Sequence, residues 1–319
     1  MAEIKYISLS TKPSAKLSYT FHPPTTQTKP RNTLIVFLNG LGLPQAFWFP
    51  VITKLKEQHS ELPAILTYDR YGQGQTTARD PADADAVDPT HGHDCLAVVK
   101  DLRQLITQVS SEQLGVSASD TDTVSIVFVA NSIGCALARL YAQAYPGTVA
   151  GLLLLDSVLA NSDFVSVYPD PDADDFDASS LPAGFNADDI RTERDGVRRI
   201  FHPSVGSKEG LSRRNLPGLL SLPDGPALLG PNGKGPLVTV VGHDYEAFVE
   251  ESAKMGRKKE LTRAYVNPYW ARYNEGLVGI TEGGRGKGPL LAPGAGHFVQ
   301  KDNPDFVVGE LREILGRLE

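Results

Sequence analysis

The sequence has few cysteines, no excess of basic residues and no long apolar run. Only two cysteines, Cys95 and Cys135, occur among the 319 residues, which excludes a disulfide framework and predicts two buried free thiols. The net charge of -7 gives no electrostatic reason to expect nucleic acid or an anionic membrane as a partner. No apolar run approaches the about 20 residues that a membrane-spanning helix needs. We therefore expect neither nucleic-acid binding nor membrane insertion.

The chain also lacks recognisable targeting signals. Its start, Met-Ala-Glu-Ile-Lys-Tyr-Ile-Ser, has neither the apolar core nor the cleavage site of a secretory signal. A cytoplasmic protein is the resulting expectation. The composition, with 41% hydrophobic and 22% charged residues, is typical of a folded globular protein.

Apolar runs alternate with helical patterns along most of the chain. This alternation predicts an α/β fold with a doubly wound, mostly parallel sheet of about eight strands. The stretch 157–236 lacks the regular pattern, so we expect a core of residues 1–156 and 237–319 and a lid inserted between strands 6 and 7. The predicted strands cover residues 3–9, 17–21, 33–38, 64–68, 126–131, 149–155, 237–241 and 289–292, and the predicted helices cover residues 47–58, 94–109, 133–145, 187–200, 245–254 and 303–318.

The most informative motif surrounds Ser132. An apolar strand from Ile126 breaks at Ala130-Asn131-Ser132-Ile133-Gly134 and continues as a helix. This is the pattern of a nucleophile elbow, G-x-S-x-G, with Ala130 in the first glycine position. A serine hydroxyl becomes a useful nucleophile when a tight turn exposes it to a base and to backbone N–H groups. The alternative is that Ser132 only caps the helix, a common role of serine at a strand–helix junction.

Four segments, in this order, resemble those of the α/β-hydrolase family. They are Asn39-Gly40-Leu41-Gly42, the run Asp69-Arg70-Tyr71-Gly72-Gln73-Gly74-Gln75-Thr76, the elbow Ala130 to Gly134, and Gly294-Ala295-Gly296-His297-Phe298. The resemblance covers the chain from about residue 33 to the C-terminus, apart from the insertion. Asn39 departs from the family's usual histidine in the first segment.

The resemblance implies a cofactor-free serine hydrolase. Ser132 would be the nucleophile and His297 the general base, because an imidazole titrates near neutral pH. The backbone N–H groups of Leu41 and Ile133 would form the oxyanion hole. Gly40 and Trp48 are predicted to contact substrate, although Trp48 could equally be an ordinary core residue of the next helix.

Two aspartates compete for the role of the acid that orients His297. Asp156 and Asp244 both follow apolar strands that the family fold places on the same sheet edge as the serine. Asp244 could instead be the N-cap of the following helix. The segment Tyr269 to Leu277 resembles a subgroup that takes its acid from the earlier strand, so we favour Asp156 and keep Asp244 as the alternative.

We expect an enzyme that cleaves a carboxylic ester or a lactone through an acyl-enzyme. The same scaffold also supports C–C bond hydrolysis and lyase reactions, and a receptor-like binding protein with little turnover is a further alternative. An aspartate-nucleophile dehalogenase or epoxide hydrolase is disfavoured by Ser132 itself. Aromatic residues of the insertion, such as Phe164 and Phe201, suggest an apolar or aromatic small-molecule substrate.

No metal ion is expected. The acidic tract from Asp170 to Asp177 resembles the start of a calcium-binding EF-hand loop. It has Asp175 where such a loop requires glycine and Leu181 where it requires glutamate. A solvated acidic loop is the better interpretation.

Overall fold

An eight-stranded sheet forms the centre of the computed structural model, which describes residues 3–25 and 33–318. The strands are β1 (Ile4–Leu9), β2 (Lys12–His22), β3 (Thr33–Leu38), β4 (Ala64–Asp69), β5 (His93–Asp94), β6 (Ser125–Ser132), β7 (Val149–Ser157), β8 (Leu211–Ser212), β9 (Leu237–His243) and β10 (Gly286–Ala292). The α-helices are α1 (Phe49–Gln58), α2 (Cys95–Leu114), α3 (Ile133–Ala144), α4 (Ala187–Phe201), α5 (Leu216–Leu219), α6 (Tyr245–Lys254), α7 (Lys259–Leu261), α8 (Asn267–Val278), α9 (Val299–Asp302) and α10 (Pro304–Leu318).

The order of the strands confirms the predicted doubly wound, mostly parallel sheet. The order is β1-β2-β4-β3-β6-β7-β9-β10, in which β2 pairs antiparallel with both β1 and β4 while the remaining pairs are parallel. Strands β5 and β8 form a separate parallel pair that the sequence did not predict. The carboxyl ends of β6, β7 and β9 therefore lie side by side at one edge of the sheet, where ligands of such folds bind.

The central strands are buried on both faces, which explains their continuous apolar runs. In β3, Leu34 and Val36 face a core that includes residues of α2 and α3. Ile35 and Phe37 face a second core with residues of α1 and α10. Both Cys95 and Cys135 are buried free thiols, as predicted.

Several element boundaries differ from the sequence prediction. Helix α2 begins after its N-cap Asp94, whose side chain accepts from the N–H of Ala97 at 2.9 Å. It continues beyond the predicted end at residue 109 to Leu114, and its C-cap is Gly115 with a φ of 68°. Polar residues fill its last turn, so the apolar pattern stops before the helix does. Strand β2 begins at Lys12, earlier than the predicted start at residue 17, and so includes Pro13. Pro13 is tolerated there since the β1–β2 pairing shifts register at that point.

Gly134 offers a test of how tightly the elbow packs against β3. A Cβ atom at Gly134 would lie 2.5 Å from the carbonyl oxygen of Leu38. Gly134→Ala is therefore expected to lower the free energy of unfolding by about 1–3 kcal/mol, although alanine is the better helix former. Gly309→Ala in α10 is the matched control, because no atom lies within 4 Å of the added Cβ there.

Urea denaturation of both variants measures the difference. Gly309→Ala should be more stable than the wild type by about 0.5–1 kcal/mol. A Gly134→Ala protein as stable as the wild type would show that α3 can move away from β3 at little cost.

Candidate active site

Ser132 occupies a strained turn between β6 and α3. Its backbone has a φ of 56° and a ψ of -123°, a conformation that non-glycine residues rarely adopt. The Ser132 side chain makes no capping hydrogen bond to the described first turn of α3. The geometry is thus that of an elbow presenting the hydroxyl, and the helix-cap alternative loses its basis.

Asp156 lies at the carboxyl end of β7 and contacts His297. Its Oδ2 atom is 2.6 Å from His297 Nδ1, and its side chain is fully buried. Its Oδ1 atom accepts from the backbone N–H of His243 at 3.2 Å and lies 2.8 Å from His243 Nδ1. Burial raises the pKa of Asp156, but the charge of His243 and the hydrogen bonds from His243 and His297 outweigh burial and lower this pKa to about 2. The carboxyl group is therefore ionised at neutral pH.

His297 is held by two carboxylates. Besides the Nδ1 contact with Asp156, the His297 backbone N–H donates to Glu251 Oε2 at 2.6 Å. Burial lowers the pKa of His297, yet the hydrogen bond with Asp156, the charge of Asp156 and that of Glu251 raise it above its ordinary value overall. Since Nδ1 faces Asp156, Nε2 is the nitrogen left to exchange a proton with a substrate or a serine.

Asp244 has a different role in the structure. It accepts from the backbone N–H groups of Glu246 at 3.0 Å and Ala247 at 3.2 Å, which makes it the N-cap of α6. Its other oxygen accepts from the N–H of Gly294 at 3.1 Å. Those backbone hydrogen bonds lower the pKa of Asp244. The structure therefore brings Asp156 to His297 and places Asp244 at a helix start and a loop anchor.

His243 is a site residue that the sequence reasoning missed. Its Nδ1 faces Asp156, and its Nε2 lies 3.3 Å from Asn267 Oδ1. Both ring nitrogens therefore face oxygen atoms. The ring stacks on Phe248 with centroids 4.0 Å apart. The sequence feature that could have identified His243 is its position next to Asp244 at the end of an apolar strand.

The loop Asn39 to Gly42 lies beside Ser132. A Cβ at Gly40 would lie 3.4 Å from the Ser132 Cβ, and both Gly40 and Leu41 line the same cavity as Ser132. The Gly40 carbonyl accepts from Arg70 Nη2 at 3.0 Å and from Gln73 Nε2 at 3.0 Å. In a trans peptide the C=O and N–H bonds point in opposite directions, so the Leu41 N–H points away from Arg70 and Gln73.

A buried ion pair connects this loop to the stretch of chain between β7 and β9. Arg70 Nε donates to Glu209 Oε2 at 2.8 Å, and Arg70 Nη1 donates to the Asn39 carbonyl at 2.9 Å. Glu209 Oε1 accepts from the Gly42 N–H at 2.9 Å. The sequence predicted the Arg70 loop as part of the family pattern, but it gave no signal for Glu209, which lies 139 positions away along the chain.

The expectation that Trp48 contacts substrate is not met. Trp48 is fully buried, and its Nε1 donates to Asn39 Oδ1 at 2.9 Å. The Asn39 amide in turn donates to the Tyr68 carbonyl at 2.8 Å. Trp48 therefore belongs to the core and anchors Asn39, which stands at the position of the family's usual histidine.

Ser132 and His297 line one cavity of about 350 Å³. Its wall is mostly apolar. Phe164, Tyr168 and Phe201, from the stretch between β7 and β9, line it, whereas Phe176 and Phe185 of the same stretch do not. The residues that the structure describes include no group of three or more His, Cys, Asp or Glu side chains placed to bind a metal. Among the described helices, none combines the length and apolar character that crossing a membrane requires.

Comparison with known proteins agrees with the fold described above. A soluble variant of monoglyceride lipase from Saccharomyces cerevisiae is 15% identical with a TM-score of 0.57, covering 99% of this chain and 96% of that one. A Vigna radiata epoxide hydrolase mutant is 14% identical with a TM-score of 0.55, covering 99% of both chains. A structure from work on carboxylesterases of Nitrososphaera gargenis is 14% identical with a TM-score of 0.51, covering 98% of both. At these identities the similarity shows the fold alone.

No curated protein matches this sequence. The model of the alpha/beta hydrolase family matches residues 35–310, which is most of the chain. With the fold, the strained serine turn and the matched range taken together, the protein belongs to the alpha/beta hydrolase family.

Proposed function

We propose that the protein is a serine hydrolase that cleaves a carboxylic ester or a lactone through an acyl-enzyme. The observation that supports this most directly is the strained Ser132 in one cavity with His297, whose Nδ1 lies 2.6 Å from the buried Asp156. A serine, an imidazole and an ionised carboxylate in these positions are the parts of a catalytic triad. Ser132 also disfavours chemistry that needs an aspartate nucleophile.

In the proposed reaction, the Ser132 hydroxyl attacks the carbonyl carbon and His297 Nε2 takes its proton. Asp156 stabilises the imidazolium that forms, and the N–H groups of Leu41 and Ile133 stabilise the oxyanion. The tetrahedral intermediate collapses as His297 returns the proton to the leaving alkoxide. Water then attacks the acyl-serine by the same route, releasing the acid and restoring the Ser132 hydroxyl.

We further propose that residues 157–236 act as a lid over this site. Phe164 and Phe201 of this segment line the cavity, and their rings stack with centroids 5.9 Å apart. Glu209 of the same segment reaches the oxyanion loop through Arg70. An apolar wall from the lid favours an apolar part of the substrate next to the scissile carbonyl.

Covalent labelling tests the proposed nucleophile. A fluorophosphonate probe should label Ser132, as read by mass spectrometry of the digested protein, and Ser132→Ala should abolish both labelling and ester turnover. Ser252→Ala is a matched control, because Ser252 lines the same cavity but lies on α6. Labelling at another serine, or none on folded protein, contradicts the proposal and favours a binding protein.

Paired amide substitutions test the acid. Asp156→Asn should lower kcat by about 10⁴-fold, because the amide no longer stabilises imidazolium. Asp244→Asn should change kcat far less and lower the free energy of unfolding by about 0.5–2 kcal/mol through weaker capping of α6. Steady-state kinetics and urea denaturation distinguish the two effects. The opposite pattern would assign the acid to Asp244.

The protonation of His297 gives a third test. Only the neutral imidazole can accept the serine proton, so kcat/KM should rise with pH through the raised pKa of His297. NMR of the imidazole should show this pKa falling in Asp156→Asn, and falling by less in Glu251→Gln. Asp244→Asn should leave it unchanged. A His297 titration that is the same in Asp156→Asn would remove the carboxylate from the mechanism.

A further inference from the structure

Arg257 is a cation in the wall of an otherwise largely apolar cavity. It lines the cavity shared by Ser132 and His297, and only 16% of its side chain is exposed. Its Nε and Nη1 atoms are buried without a hydrogen-bond partner among the described residues. Buried donors without partners are costly, and in native proteins they mark places where a ligand or water supplies the missing oxygen.

The neighbouring carboxylates do not supply that oxygen. Glu193 Oε1 lies 3.6 Å from Arg257 Nη1, which is too long for a hydrogen bond, and it leaves Nε unpartnered. Glu251, on the same cavity wall, uses Oε2 to accept the His297 backbone N–H. Glu193 Oε1 is itself buried without a hydrogen-bond partner, so Glu193 offsets the charge of the guanidinium without satisfying its Nε and Nη1 donors.

The lid provides space for the guanidinium. A Cβ at Gly196 in α4 would lie 2.3 Å from Arg257 Nη1 and 2.8 Å from Nη2. Glycine in a helix interior costs about 1 kcal/mol of stability relative to alanine. At this position glycine leaves room for the guanidinium, which lies directly against the backbone of α4. The position of Arg257 is thus built by two elements, the turn after α6 and the glycine of α4.

We propose that Arg257 binds a carboxylate at the distal end of the acyl chain. The substrates would be esters or lactones whose carbonyl is separated from a carboxylate by an apolar segment, such as monoesters of dicarboxylic acids. The apolar segment fits the aromatic wall, and the planar guanidinium matches a carboxylate with charge-assisted hydrogen bonds. This inference rests on the proposed ester hydrolysis at Ser132 and names its substrate class.

Paired substrates test the assignment. The p-nitrophenyl monoesters of dicarboxylic acids from succinic to sebacic acid are compared with p-nitrophenyl alkanoates of equal chain length. At the best chain length, Arg257→Met should lower kcat/KM for the carboxylate-bearing ester by about 10- to 100-fold, the loss expected for hydrogen bonds to a charged group. The alkanoate should be hydrolysed as fast as by the wild type or faster. An unchanged ratio between the two substrates overturns the proposal.

A substitution in α4 tests the position of the Arg257 guanidinium independently. Gly196→Ala should reduce the preference for the carboxylate-bearing ester by displacing the guanidinium, even though alanine favours the helix. Gly218→Ala is the matched control in the same inserted segment, because no atom lies within 4 Å of its added Cβ. Two results would show that Arg257 serves only the ion pair with Glu193. One is that Gly196→Ala keeps the full preference for the carboxylate-bearing ester. The other is that Glu193→Gln abolishes this preference while Arg257→Met does not.

Binding to Ser132→Ala separates this inference from the proposed function. Monomethyl suberate and dimethyl suberate are titrated by calorimetry into Ser132→Ala and into Ser132→Ala combined with Arg257→Met. The second substitution should weaken binding of the monomethyl ester by about 10- to 100-fold and leave the dimethyl ester unaffected. Equal weakening of both overturns the carboxylate site. If this difference is found while the wild type hydrolyses no ester, the carboxylate site stands and ester hydrolysis fails.

Discussion

The buried carboxylate of Asp156 is the constraint on which the arrangement of the site depends. It lies at the end of β7 and accepts from the His243 backbone N–H at the end of β9, while its other oxygen faces His297 in the loop after β10. A fully buried charge is tolerated only when donors surround it. The imidazoles of His243 and His297 meet that requirement, and they fix the relative positions of three neighbouring segments at the carboxyl edge of the sheet.

The loop 39–42 beside Ser132 depends on a second buried charge. Arg70 and Glu209 are 3% and 1% exposed, and breaking such a pair leaves one charge without compensation. Arg70 holds the carbonyls of Asn39 and Gly40, whereas Glu209 holds the N–H of Gly42. Because Glu209 lies in the stretch between β7 and β9, a movement of that stretch would alter the loop beside Ser132.

Local patterns predicted the fold and the positions of Ser132 and His297, because each depends on a short segment. The β6–Ser132–α3 junction is encoded by an apolar run, small residues and a helical pattern within about a dozen positions. The contacts that the sequence did not reveal join distant positions: His243 to Asp156, and Arg70 to Glu209. Trp48 was misplaced for a related reason, since its aromatic character suits a pocket wall and a core equally well. Only the folded structure shows that Trp48 lies in the core and not in the pocket wall.

As pH rises, the contact between His297 and Asp156 contributes less to stability, whereas the activity proposed for His297 increases. The lowered pKa of Asp156 means that its contribution to stability is fully present above its unfolded pKa of 3.8 and is lost as pH falls toward about 2. The raised pKa of His297 means that its contribution is present below its unfolded pKa of 6.5 and is lost as pH rises through the folded value. A general base must be neutral to act. In the proposed mechanism, the pH range in which His297 can take the serine proton is therefore the range in which its ion pair no longer stabilises the fold. Asp156, His243 and the backbone hydrogen bonds of the loops must then hold the site.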